Sequence, residues 1–259
     1  MTYCETTMGS KKVSVVISVY RCYGALARQI KHFNKMCLPD DVEFIVVDDG
    51  SNPPLRREDY DLNNLSIYAT GNILAWTQGL GRNSGAEKAQ GEYLLMTDID
   101  HILSREAIED VRNMTGDNHM MFKRYYGILT EGGDLSQDFS VLQDYGLDLD
   151  RIKGNLCAGT HGNTFAIRRS IFMELGGYDP QHSLVGYHPL RKKGDDCYFS
   201  AKWNRYAKEH KLQTVEGASI YMFPISRHHI RGETNPKGLF HDLKYDGEKS
   251  MIKGEEYAQ

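Results

Sequence analysis

Two carboxylates spaced i and i+2, Asp98 and Asp100, close the apolar run Tyr93-Leu94-Leu95-Met96-Thr97. Alternate side chains of an extended segment share a face. Both acids would therefore emerge together at a strand end, placed to hold one hard cation and an anionic ligand beside it. Two like charges at the rim of a core strand repel each other, which raises one pKa or calls for a cation. The spacing is weak by itself, because Asp59-Tyr60-Asp61 and Asp148-Leu149-Asp150 repeat it in polar stretches where solvated loop acids are the ordinary reading. Context comes from two further strand ends: Val13 to Val19 runs into Tyr20-Arg21, and Val42 to Val47 into Asp48-Asp49-Gly50-Ser51. Alone, the second is a turn in which Asp49 and Ser51 bond the backbone. Three polar strand ends together point to a ligand, since open α/β sheets bind ligands outside the carboxyl ends of their strands.

The elements that must position these groups alternate. A β-branched strand at Val13–Val19 is followed by a helical pattern of Leu26, Ile30, Phe33 and Cys37, which Pro39 stops. A second strand spans Val42–Val47, a short one Leu65–Tyr68, and Gly81 to Gln90 reads as a helix with Ser84, Gly85, Ala86 and Ala89 as small packing residues. Gly91 ends it ahead of the Tyr93–Met96 strand. Strands and helices in this order predict a mostly parallel sheet flanked by helices.

Ser104 is positioned to cap a helix carrying Ala107, Ile108 and Val111, after which Gly116 to Gly162 mixes short strands with polar, Gly-rich stretches. Asn163 to Ile167 reads as a strand, Ser170 onward as a helix closed by Gly176-Gly177, and Ser219 to Phe223 as a last strand. Asp195-Asp196 open a helix bearing Phe199, Trp203 and Tyr206. Acids there are either a dipole-favoured first turn or a general base with its neighbour. Arg227-His228-His229 follow the last strand, where His228 and His229 read as an exposed polar pair.

Composition removes several classes. With 31 Lys+Arg against 35 Asp+Glu, the net charge of -4 gives no electrostatic footprint for non-specific nucleic-acid or anionic-membrane binding. No stretch approaches the roughly 18 apolar residues of a membrane span, and Met1 to Ser10 has no signal-peptide character. The cysteines at 4, 22, 37, 157 and 197 are odd in number and lack metal-ligand spacing. Free thiols in a reducing cytoplasm are the expectation, with the inner membrane face as a peripheral docking place.

The motifs together resemble family 2 glycosyltransferases of the GT-A fold. The similarity runs through Val13 to Tyr20, Glu43 to Ser51, Gly81-Arg82-Asn83-Ser84-Gly85 and Gly91 to Asp100, in the family's order and spacing. Gly162 to Arg169 and Gly176-Gly177-Tyr178-Asp179 are similar to the acceptor-side segment, and Gly194-Asp195-Asp196 stands where the family carries Gly-Glu-Asp. Arg227-His228 with Asn235-Pro236 resembles the metal-binding histidine region of β-1,4-galactosyltransferases.

The resemblance implies a single GT-A domain over 1–259, with a nucleotide-sugar-binding half at 11–103, an acceptor-binding half at 104–231 and a peripheral tail at 232–259. It implies that Val19 and Tyr20 line the nucleotide site, that Asp48 or Asp49 accepts the uracil N3–H, and that Arg82 lies near base and diphosphate. It places Asp98 on the ribose or the metal, and Asp100 on Mn²⁺ or Mg²⁺ with His228, or His229, completing the shell; an imidazole favours Mn²⁺. Asp196 becomes the general base of an inverting transfer from a UDP-sugar, with Asp195 on the acceptor. The acceptor stays open among a saccharide, a glycoconjugate and a modified DNA base. So do the role of the basic trio Arg191-Lys192-Lys193 and the oligomeric state.

Two other classes compete. A sugar nucleotidyltransferase would carry a basic Gly-rich loop after the first strand, which Val19-Tyr20-Arg21-Cys22-Tyr23 does not supply. A non-catalytic nucleotide-sugar or glycan-binding module would bind without turnover, and the metal acids together with a base count against it.

Overall fold

Strand β1, Val13–Val19, has all seven residues buried, and so does β2, Val42–Asp48. Burial on both faces explains their unbroken apolar sequences. The computed structural model describes residues 11–71, 78–140, 156–158, 160, 162–180 and 195–223. Between β1 and β2 lies α1, Tyr23–Lys35; β3, Leu65–Ala69, extends the sheet, and α2, Gln78–Lys88, returns the chain to β4, Tyr93–Thr97. These four strands are parallel in the order β3-β2-β1-β4. Their register pairs Val19 with Asp48 and Ile17 with Thr97, so the three polar strand ends fall on one edge of the sheet.

The second half is mixed. After the two-residue β5, His101–Ile102, and α3, Arg105–Arg112, comes β6, His119–Tyr126, then β7, Ile128–Leu129, with β8, Leu135–Ser136, as a separate hairpin. Strand β9, Leu156–Ala158, lies against β6. Strand β10, Phe165–Arg168, is antiparallel to both β4 and β6. Helices α4, Arg169–Glu174, and α5, Asp195–His210, precede β11, Thr214–Met222, which runs parallel to β6 and antiparallel to β5. The sheet order β3-β2-β1-β4-β10-β6-β11-β5 thus joins a parallel half to a half of mixed direction.

Helices cover both faces. Leu26, Ile30 and Phe33 of α1 and Ala107, Ile108 and Val111 of α3 pack on one face with Val15, Ile17 and Leu95. Ala86 of α2, Phe172 of α4 and Phe199 and Trp203 of α5 pack on the other with Val16, Ile45 and Met96. Helix α2 lies unusually close: a Cβ on Gly81 would stand 2.3 Å from Ser18 Oγ, and one on Gly85 2.4 Å from Val16 Cγ1. Glycine is required there by contact distance, and the approach carries Arg82 into the core. The Ser104 Oγ accepts the Ala107 N–H at 3.0 Å, the cap expected from sequence.

Two strands differ from expectation. Strand β6, inside a stretch expected to hold only short strands, has the sequence HMMFKRYY without a β-branched residue, and its pairing with β10, β11 and β9 makes it a strand. Strand β11 begins five residues before Ser219 because its polar start pairs with β6 while one face stays open; there Glu216 meets Lys123 at 2.6 Å.

Candidate active site

Asp98 leaves β4 into a polar cluster assembled from three elements. Its Oδ1 accepts from Gln78 Nε2 and, at 2.5 Å, from Arg82 Nη2; its Oδ2 accepts from Asn163 Nδ2 at 2.8 Å. Arg82, 1 % exposed, also donates to the Tyr178 hydroxyl at 2.6 Å and to the Asn163 carbonyl at 2.7 Å. Burial works against the Arg82 charge, but the Tyr178 and Asp98 groups outweigh it and hold the guanidinium above its ordinary pKa. Burial pushes Tyr178 up, against the pull of Arg82, so its hydroxyl stays neutral. Arg82 therefore clamps Asp98 to Asn163 and Tyr178.

Asp98, Asp100 and His101 offer one ligand atom each within 4.8 Å of one another. Adjacent ligand atoms on a small divalent ion stand about 3 Å apart and opposite ones about 4.2 Å, so a shared cation would draw these three groups closer together. Two carboxylates and an imidazole suit Mn²⁺ better than Mg²⁺. Sequence reasoning passed over His101, though it directly follows Asp100. Its ring is 2 % exposed, with Nδ1 2.5 Å from Thr164 Oγ1 and Nε2 3.4 Å from Arg124 Nη1. Arginine only donates, so Nε2 accepts and Nδ1 carries the proton toward Thr164; a cation held by His101 would take the Nε2 lone pair and displace Arg124 Nη1. The Thr164 hydroxyl also meets Thr97 Oγ1 at 3.2 Å.

The other strand ends are organised as loops. Asp48, 2 % exposed, accepts the N–H of Ser51 at 2.8 Å and of Leu55 at 2.9 Å with its two carboxylate oxygens. That carboxylate is committed to holding the turn. Asp49 gives its N–H to the Val19 carbonyl at 2.8 Å, and Thr70 Oγ1 reaches Asp49 Oδ1 at 3.4 Å. Val19 is buried and contributes backbone only, whereas half-buried Tyr20 has the Arg21 guanidinium 5.5 Å from its ring centre.

Helix α5 brings the second acidic pair to the same region. Asp195, 8 % exposed, accepts the Asp196 N–H at 3.0 Å and is near enough to Arg82 to raise that group's pKa. A Cβ on Gly162 would lie 3.6 Å from Asp196 Oδ2, so Asp196 borders the Gly162-Asn163 step that bonds Asp98. Asp98, Asp100, Arg82, Asp195 and Asp196 thus converge, with Asp48 and Asp49 on the same sheet edge. His228, His229, Asn235-Pro236, the trio Arg191-Lys192-Lys193, Tyr187, Asp148 and Asp150 lie outside the described residues. The remaining acidic repeat is a surface feature: Asp59 pairs with exposed Arg56 at 3.0 Å.

A parallel half with acids at its strand ends, continued by mixed strands that return a second acidic pair, is the GT-A architecture. The chain belongs to glycosyl transferase family 2, whose model matches residues 14–176. EpsH of Bacillus subtilis (strain 168), itself described as a glycosyltransferase, is 26% identical over 143 residues, covering 53% of this chain and 40% of that protein. The chain thus spans less than half the length of this curated relative. Among solved structures, the mannosyltransferase PcManGT from Pyrobaculum calidifontis, in complex with GDP-Man and Mn²⁺, superposes with a TM-score of 0.52 at 14% identity, covering 91% of this chain and 68% of that one. S. aureus TarS 1-349 gives 0.51 at 16% identity, covering 82% and 60%. At such identities these likenesses concern the fold. Among the described residues, no helix is long and apolar enough to cross a membrane.

Proposed function

We propose that this chain is an inverting, metal-dependent glycosyltransferase that moves a sugar from a nucleotide-sugar donor, a UDP-sugar, to an acceptor hydroxyl. The observation that carries the reading is the approach of Asp98, Asp100 and His101 within 4.8 Å beside the Asp195-Asp196 pair. PcManGT, which shares the fold, holds a nucleotide sugar and Mn²⁺. Asp98, Asp100 and His101 would hold the ion, which when bound supplies positive charge to the donor diphosphate. His228, in the segment similar to β-1,4-galactosyltransferases, is a further ligand in this reading.

The chain's own residues do the rest. Asp49 accepts the base N–H, since Asp48 is occupied by its turn. Arg82 keeps Asp98 oriented, and Asp196 takes the acceptor hydroxyl proton as that oxygen attacks the anomeric carbon from the face opposite the diphosphate. The bond from that carbon to the diphosphate oxygen breaks, its electron pair leaves on the diphosphate, and the anomeric configuration inverts. Asp195 bonds the acceptor, a saccharide or glycoconjugate. In a donor-hydrolysis assay, where water replaces the acceptor, Asp196→Asn is expected to cut the rate by about 100-fold or more while leaving donor affinity unchanged. A near-normal rate would remove Asp196 as the base.

A further inference from the structure

Arg124, on β6, is a second buried guanidinium at this edge of the sheet, and it is matched very differently from Arg82. Strands β4 and β6 run the same way, both antiparallel to β10, whose Phe165 pairs with Met96 on one side and Met121 on the other. Arg124 pairs with Ile220 of β11, whose next two residues, Tyr221 and Met222, pair with Ile102 and His101. Its residue exposure is 6 %. Its Nη1 donates over 3.4 Å to His101 Nε2 and over 3.4 Å to the Met222 sulfur, and its buried Nε has no hydrogen-bond partner among the described residues. Among the described residues Arg124 forms no ion pair, while Arg82 is bonded to Asp98.

A guanidinium does not shed its proton in a protein, so burial without an anion is unfavourable unless an anion arrives with the ligand. Its planar fork of donors fits phosphate oxygens. Arg124 also touches His101, one of the three groups that converge on the candidate cation position. An anion bound both by that cation and by Arg124 must present several oxygens across neighbouring groups, which a diphosphate does and a single phosphate does less well.

We propose that Arg124 binds the diphosphate of the nucleotide-sugar donor and remains bonded to it as the leaving group. This rests on the nucleotide-sugar reading of the same site. The test measures, by calorimetry with Mn²⁺, the affinities of the protein for UDP, GDP and the corresponding monophosphates, and compares Arg124→Gln and Arg124→Lys with the natural chain. Loss of charge-assisted bonds is expected to weaken diphosphate binding by about 10- to 100-fold in Arg124→Gln, leave monophosphate binding nearly unchanged, and be partly recovered in Arg124→Lys. Should Arg124→Gln fail to fold, Arg124→Lys carries the test, with a smaller but selective loss for the diphosphate. Equal losses for both nucleotides, or none, would assign Arg124 to supporting His101 and overturn the proposal while leaving the donor reading intact. A natural chain that binds neither diphosphate would overturn the donor reading itself, and this inference with it.

Discussion

His119 sits in the core with neither ring nitrogen hydrogen-bonded among the described residues, packed 4.9 Å from the Phe165 ring and 5.0 Å from that of Trp203. Burial pushes its pKa down from 6.5 to about 3. The neutral ring is therefore the form the fold accepts, and the unfolded chain binds a proton more readily. Stability from this group is fully present above pH 6.5 and is lost as pH falls below it, by about 1.4 kcal/mol per pH unit until the folded pKa is reached. At pH 5 the loss relative to neutral pH comes to about 2 kcal/mol. Replacing the ring by phenylalanine keeps an aromatic of similar size and removes the titration. Urea unfolding of the natural chain and of His119→Phe at pH 7 and pH 5 isolates the effect, because every other titrating group is common to both. The stability difference between variant and natural chain is expected to shift by about 2 kcal/mol in the variant's favour on going to pH 5. An unchanged difference would refute the claim that His119 is held neutral by an apolar site.

Further outcomes separate structural acids from ligand-binding ones. Asp48→Ala leaves the buried N–H groups of Ser51 and Leu55 unsatisfied and should cost about 1–3 kcal/mol for each in urea unfolding; Asp49→Ala should instead weaken nucleotide binding with little effect on stability. The reverse pattern would exchange their roles. Arg82→Met strands the Asp98 carboxylate in a buried setting and should cost about 3–5 kcal/mol, of which adding Asp98→Asn recovers a part. Additive losses in unfolding measurements would show that the pair is not coupled.

Much of the parallel half of the sheet was legible because its strands β1, β2 and β4 are buried on both faces and announce themselves as β-branched or apolar runs. Gly85 of α2 was readable as a small packing residue, although the contact distance behind it was not. The turn reading of the Asp48-Asp49 step was half right, since the carboxylate that bonds the turn N–H groups belongs to Asp48 rather than Asp49. What escaped sequence reasoning depends on pairing over long chain distances. Strand β6 is made a strand by β10 and β11, and the role of His101 depends on β5 pairing with Met222 and on Thr164 beside it. Arg124 carries no local signal, because its lack of an ion pair among the described residues depends on groups far apart in the chain. The resemblance put Arg82 near base and diphosphate, but its bonds to Asp98, Tyr178 and Asn163 join residues up to 96 positions apart.

The central claim is that Asp100, with Asp98 and His101, holds a divalent cation at a nucleotide-sugar site. Donor hydrolysis measured across UDP-, GDP- and dTDP-sugars, with and without Mn²⁺, for the natural chain and Asp100→Ala, tests it most directly. One nucleotide series is expected to be hydrolysed by the natural chain only when Mn²⁺ is present, and Asp100→Ala to lose that turnover while unfolding at the same urea concentration. Turnover that ignores Mn²⁺, or survives in Asp100→Ala, would contradict it.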